Sequence, residues 1–267
     1  MMSWNLPLPA LPHSLSHPLS QHLSRLTLCV SALLSATAAQ AQITSERIVG
    51  YVRDAATQRY LYTEVHQLQL NRDGAPRSGL SVYYDPQGQE IARKTLDYRA
   101  HRTVPVYKLE IPAQSYSEGI SAVADEQVVL FKTSSARQEA KVPLPEGDIA
   151  GDSGFNQLIM DLWPRLQRGQ TVRFRLIVAG RLTDYAFRAR HAGEITYQQQ
   201  AATRIRVEPD SVLRFVVDPI ELVYDRSGRR LLSYLGVSNI LDPSTGEVYR
   251  RVQITYGGAA PAEARLP

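Results

Sequence analysis

The sequence predicts a mainly β protein: an antiparallel meander rolled into a barrel or curved half-barrel, with one amphipathic helix at about 152–168. Three observations predict it. Apolar and polar residues alternate from Glu46 to Tyr256, as where Val172, Phe174, Leu176 and Val178 are set among Thr171, Arg173 and Arg175. That period of two gives each strand a wet and a dry side. Asx-x-x-Gly groups punctuate the alternation at Asn71 to Gly74, Asp85 to Gly88 and Asp225 to Gly228, and Asp242 has Gly246 one residue later. These are type I turn formers that join antiparallel neighbours. Finally, Phe155, Leu158, Ile159, Leu162 and Leu166 switch to helical spacing on a single face.

Taken in order, residues 1–41 read as a secretory signal peptide. Arg25 is their only formal charge, Leu26 to Ala38 is a short apolar run, and Ala39-Gln40-Ala41 offers cleavage after Ala41. The run is too short for a stable membrane anchor. Residues 42–256 are then expected as a single β-rich domain and 257–267 as a disordered tail. Strands are expected near 46–53, 58–70, 78–84, 89–98, 105–111, 116–123 and 126–132. Others follow near 170–179, 182–190, 194–207, 211–217, 219–224, 230–237 and 247–256. Residues 134–150 read as a linker or long loop. For the helix, Asp152 or Ser153 is the expected N-cap and Gly169 the stop, and Pro164 predicts a kink or break just after Trp163.

Composition excludes several chemistries. Cys29, the only cysteine, lies inside the signal, so the exported chain has no disulfide, no Cys nucleophile and no thiolate metal ligand. The formal charge is +4, and +3 once Arg25 is removed. That modest charge and the exported location do not suit nucleic acid. Only Lys94, Lys108, Lys132 and Lys141 are lysines, every other cation being an arginine. Arginines recur at alternate positions, Arg173 and Arg175, Arg188 and Arg190, Arg204 and Arg206, so that neighbouring strands would gather them on one face. Such a face is either a receptor for anionic groups or a solvated exterior broken up by acids. The fourteen tyrosines suit either an amphipathic cavity wall or a sheet surface.

Catalytic motifs fare poorly. Arg47-Ile48-Val49-Gly50 and Gly151-Asp152-Ser153-Gly154 mimic a chymotrypsin-like protease, but neither His66 nor His101 lies in a matching context, and the spacing to Ser153 is too short. His66, His101 and His191 are isolated, so no metal site is expected. Glu208 with Asp210, and Asp218 with Glu221, sit beside Pro209 and Pro219 as turn formers more readily than as a glycosidase pair. No catalytic residue and no cofactor is assigned.

The most motif-like run is Glu208-Pro209-Asp210-Ser211, then Asp218 to Asp225 (DPIELVYD), then Arg230 to Gly236 (RLLSYLG) and Ser238-Asn239-Ile240. It resembles a family of uncharacterised exported bacterial proteins of unknown function. In outline the chain is also similar to lipocalin-like barrels and lipoprotein carriers. The first resemblance implies no activity, and the second implies only a fold.

The leading expectation is a soluble periplasmic, non-enzymatic protein that holds a lipid or other amphipathic molecule, or an envelope protein partner, in a concavity under the helix. Phe155, Leu158, Leu162 and Trp163 are the expected lid, with Arg173, Arg175 and Tyr224 as wall or rim groups. Two alternatives stay open: an envelope hydrolase with an unidentified carboxylate pair or Ser/His pair, and a small outer-membrane barrel. The polar tail after Tyr256 and the interrupting helix argue against the barrel, and no integral membrane protein is expected.

Overall fold

The computed structural model describes residues 44–266; the expected signal at 1–41 lies outside the described residues. The first seven strands are β1 (Thr44–Asp54), β2 (Tyr60–Leu70), β3 (Pro76–Tyr84), β4 (Glu90–Asp97), β5 (Val106–Ile111), β6 (Tyr116–Ala124) and β7 (Gln127–Thr133). Next come β8 (Arg137–Pro143), β9 (Ile149–Gly151) and the helix α1 (Phe155–Gln167). The chain closes with β10 (Val172–Val178), β11 (Thr183–Tyr197), β12 (Gln200–Pro209), β13 (Ile220–Asp225), β14 (Leu231–Gly236) and β15 (Val252–Tyr256).

All fifteen strands belong to one sheet, ordered β8-β7-β6-β5-β4-β3-β2-β1-β15-β14-β13-β12-β11-β10-β9. Sequence neighbours are therefore sheet neighbours, and the pairing of β1 with β15 joins the two halves. The sheet is curved but not closed, because β8 and β9 end it on opposite sides. Contacts other than strand pairing draw these ends together. The Lys132 ammonium on β7 donates to the Gly180 carbonyl in the β10–β11 turn at 3.2 Å, and the Thr103 hydroxyl donates to the Ile149 carbonyl at 2.7 Å. Among the described residues only β9 and β10 pair in parallel, which requires a crossover. That crossover is α1, and it places the helix on the concave side.

The period-two pattern then sorts the side chains. One core cluster gathers Val52, Tyr62, Leu109, Ile120 and Leu130 with Ile177 and Ala179 from the far end of the sheet. A second packs Leu158, Ile159, Leu162 and Leu166 of α1 on Val172, Phe174, Ala189, Ile205, Val207 and Leu222. The four expected turns close as Gly74 N–H to Asn71 O, Gly88 N–H to Asp85 O, Gly228 N–H to Asp225 O and Gly246 N–H to Asp242 O, at 2.8 to 3.0 Å.

Several expectations are corrected. Residues 134–150 are not a plain linker but hold β8 and β9; β8 is a polar edge strand, with Arg137, Glu139 and Lys141 outward, a composition that discourages edge-to-edge pairing. Residues 211–217 form no strand: β12 stops at Pro209, a 3-10 turn spans Val212–Phe215, and Val212, Phe215 and Val216 are exposed. The break expected at 190–194 is a bulge within β11 between His191 and Glu194, and the reversal comes at Gln198–Gln199. Of the kink or break expected at Pro164, the break does not occur, since the helix runs through Pro164 to Gln167. Neither Asp152 nor Ser153 caps it: a 3-10 turn at Asp152–Gly154 precedes it, and Gly154 takes the N-cap position without a side-chain bond. Asp152 is engaged elsewhere.

Candidate functional site

Register alone builds a polar row on the concave face. His66 on β2 lies opposite Ser81 on β3, Ser81 opposite Lys94 on β4, and Lys94 opposite Leu109 on β5. Leu109 faces Glu118 on β6, and Glu118 faces Lys132 on β7. Residues directly opposite share a face, so five polar side chains and one leucine cross six strands in a line. A second row beside it runs from Tyr256 over Gly50 to Glu64 and Tyr83.

Ser81, Lys94, Glu118, Glu64 and Tyr83 are buried and His66, Lys132 and Tyr256 partly so, and each row makes hydrogen bonds within itself or to neighbouring turns. The Lys94 ammonium donates to Asp152 Oδ2 at 2.8 Å, and the Asn239 amide donates to the same oxygen at 3.0 Å. Burial alone would favour the neutral amine, yet Asp152 and the surrounding Tyr83 and Glu118 overcome it and hold the Lys94 pKa above its ordinary value. The Tyr98 hydroxyl donates to the Ser153 carbonyl at 3.0 Å, which anchors the turn that delivers Asp152. Glu118 accepts from the Tyr116 hydroxyl at 2.5 Å, and burial pushes its carboxyl above the usual 4.5. Burial also lifts the Tyr83 phenol to about 12, so it stays neutral and accepts from Lys94. The Tyr107 hydroxyl is buried and finds no hydrogen-bond partner among the described residues.

At the other end, His66 Nδ1 lies 2.6 Å from Ser81 Oγ, and His66 Nε2 lies 3.0 Å from Glu64 Oε1. The Tyr256 hydroxyl donates to that same Glu64 oxygen at 2.7 Å. Gly50 makes this reach possible. A Cβ there would stand 2.7 Å from the Tyr256 ring and 2.9 Å from Glu64 Cγ, so the missing side chain lets Tyr256 cross over β1. Burial would raise the Glu64 carboxyl, but His66 and Tyr256 outweigh it and hold it below 4.5.

Both rows border a cavity of about 2770 Å³ on the concave side, with Ile48, Leu68, Met160 and Trp163 among its apolar lining. The expected site residues divide. Phe155, Trp163 and Arg175 border the cavity. Leu158 and Leu162 are in the second core cluster under α1. Tyr224 is fully buried beside them, donating to Asn156 Oδ1 at 2.7 Å and packing on Trp163 with ring centres 5.3 Å apart. Arg173 is exposed and pairs with Asp210 at 2.8 Å, and Arg175 pairs with Asp184.

The six alternate arginines do share one face, since Arg173 lies opposite Arg188 and Arg190 opposite Arg206. Acids interleave them: Glu208 bonds Arg188 and Arg206, and Glu221 lies 3.8 Å from Arg206. This face points away from α1, with Arg175 at its edge reaching the cavity rim, and Asp210 beside Pro209 serves its ion pairs, bonding Arg173 at 2.8 Å. No group of three or more potential metal ligands occurs among the described residues.

The polar rows escaped the sequence reading although a signal was present. Lys94 lies between Ala92 and Leu96, and Glu64 between Tyr62 and His66, at positions whose parity points inward. An ionisable residue in the dry phase of a strand is the informative anomaly.

No protein-family model matches the chain, and no curated protein does. Among solved structures it is similar to a β-barrel-like protein of the domain of unknown function DUF1849 from Brucella abortus. Identity is 6%, the TM-score 0.42, and the match covers 81% of this chain and 97% of that one. A DUF1329 family protein from Desulfovibrio piger gives 11% identity, a TM-score of 0.28 and coverage of 82% and 85%. A putative outer membrane lipoprotein-sorting protein domain from Vibrio parahaemolyticus gives 12%, 0.26, and coverage of 80% and 83%.

Proposed function

We propose that this is a periplasmic binding protein, exported by a signal cleaved after Ala41, which holds an amphipathic molecule in the concavity between α1 and the β1–β6 wall. The observation that carries this reading is the cavity itself. At about 2770 Å³ it exceeds the roughly 300–1,000 Å³ of a site for a drug-sized ligand, and its lining is sorted by polarity. Ile48, Leu68, Met160 and Trp163 suit an acyl chain. The Lys94 ammonium offers a positive charge to a head group.

The convex face supports a water-exposed location. Arg93 on β4, Lys108 and Glu110 on β5 and Arg173 on β10 project outward with exposed side chains. A barrel embedded in lipid needs an apolar band in their place. Among the described residues no helix is long and apolar enough to cross a membrane.

Titration with a dansyl-labelled fatty acid tests the reading. Ile48→Asp and Leu68→Asp place a charge on the apolar wall at half-buried positions, so affinity should fall at least 10-fold while the melting temperature stays within a few degrees. Unchanged affinity in both variants would refute the proposed cavity.

A further inference from the structure

We propose that Ser81, His66 and Glu64 form a serine-hydrolase relay that opens into the cavity and cleaves an acyl ester. The three residues come from two adjacent strands. Glu64 and His66 are two apart on β2 and so face the same way, and Ser81 is the direct partner of His66 on β3. The distances are those of a working relay: 2.6 Å from Ser81 Oγ to His66 Nδ1, and 3.0 Å from His66 Nε2 to Glu64 Oε1. All three border the cavity.

The hydrogen-bond network fixes the tautomer. Glu64 is held ionised and can only accept, so Nε2 carries the imidazole proton, and Nδ1 is left to accept from the Ser81 hydroxyl. That is the state a general base requires. Relative to the familiar arrangement the two imidazole nitrogens are exchanged, which leaves the roles intact because such a relay is recognised by geometry and not by position. Glu64, 5% exposed, orients His66 and would stabilise the imidazolium. Tyr256, admitted by Gly50, positions Glu64 in turn.

The reaction balances without a cofactor. Ser81 Oγ bonds to the ester carbonyl carbon, its proton passes to His66 Nδ1, and the carbonyl electron pair moves onto oxygen. Collapse breaks the carbon–alkoxy bond, and the alcohol departs with the proton from His66. Water then bonds to the acyl carbon, gives a proton to His66, and the Ser81 oxygen leaves with that proton. The products are a carboxylic acid and an alcohol. Strand amides are occupied in the ladder, so stabilisation of the oxyanion falls to side chains. Lys94 lies directly opposite Ser81, and with one N–H given to Asp152 and one to Tyr83 it keeps a third for the oxyanion. The Tyr107 ring centre is 5.5 Å from Lys94 Nζ, and its hydroxyl is otherwise unpartnered among the described residues. Donors fixed in a water-poor site are what this chemistry uses.

The test treats protein purified from a periplasm with a fluorophosphonate probe and with p-nitrophenyl esters of increasing chain length. The expected result is a single adduct mapped to Ser81, absent in Ser81→Ala. Ester turnover should fall at least 100-fold in Ser81→Ala and His66→Gln, with Glu64→Gln lowering kcat more than KM. Ser81→Cys guards against a variant that fails to fold. Its thiol, the only one once Cys29 is gone with the leader, should react with iodoacetamide faster than free cysteine, and lose that gain when His66→Gln is added. A folded protein that takes no adduct, hydrolyses esters equally with and without the Ser81 hydroxyl, and in its Ser81→Cys form shows a thiol of ordinary reactivity would overturn the relay. Fatty-acid binding retained in Ser81→Ala would show that the carrier reading stands separately.

Discussion

Lys94 and Asp152 illustrate how burial decides which half of an ion pair matters more. The Lys94 side chain is 7% exposed and that of Asp152 is 38% exposed. Removing the acid strands a cation in a poorly solvated place, whereas removing the cation leaves an acid that water and Asn239 still serve. Asp152→Asn is therefore expected to cost about 3 kcal/mol, and Lys94→Met only about 1 kcal/mol. Urea denaturation measures both. A larger loss in Lys94→Met would contradict the picture of a buried lysine held charged by a half-exposed partner. The same pair explains the Gly-Asp-Ser-Gly string: Asp152 serves Lys94, Ser153 offers its carbonyl to Tyr98, and the glycines allow close approach.

At the scale of elements, the turn before α1 is tightly specified by contacts. A Cβ on Gly154 would fall 1.9 Å from the Thr103 carbonyl oxygen, so the backbone there has no room for alanine. Gly154→Ala should cost more than about 2 kcal/mol through overpacking, a fall in melting temperature of roughly 5 °C for a domain of this size. Phe215→Ser, at a site 76% exposed, should shift stability by less than about 0.5 kcal/mol. Calorimetry of the two variants gives the contrast, and an unshifted Gly154→Ala would remove the close approach. Elements marked by local chemistry were legible in the sequence: the Asx-x-x-Gly turns, the alternating strands between them and the helical face of α1. Those missed lack such marks. The β11–β12 reversal uses Gln198 and Gln199 at φ of 48° and 64°, where no glycine or asparagine announces it. Val212 to Val217 looks like a strand from its β-branched residues, but Pro209 and Pro219 bracket it and it has no pairing partner among the described residues. In the site, Phe155, Trp163 and Arg175 were legible as cavity neighbours. Glu64, His66, Ser81 and Lys94 were not, because register across three strands, which a single strand cannot reveal, is what brings them together.

The described residues form one curved sheet whose ends, β8 and β9, do not pair with each other, with a crossover helix on its concave side. Opening and curvature together leave room for the cavity, and alternation turns an arginine-rich face outward and several tyrosines inward. Tyr62, Tyr83, Tyr98, Tyr107 and Tyr256 all border that space, presenting apolar rings with hydroxyls directed to buried partners or to a guest. The measurement that tests this most directly is native mass spectrometry of the protein purified from a periplasm without detergent. The expected result is a mass above that of the polypeptide, the excess released on denaturation as an amphipathic molecule. A bare polypeptide mass that stays bare after incubation with fatty acids and lysophospholipids would contradict it.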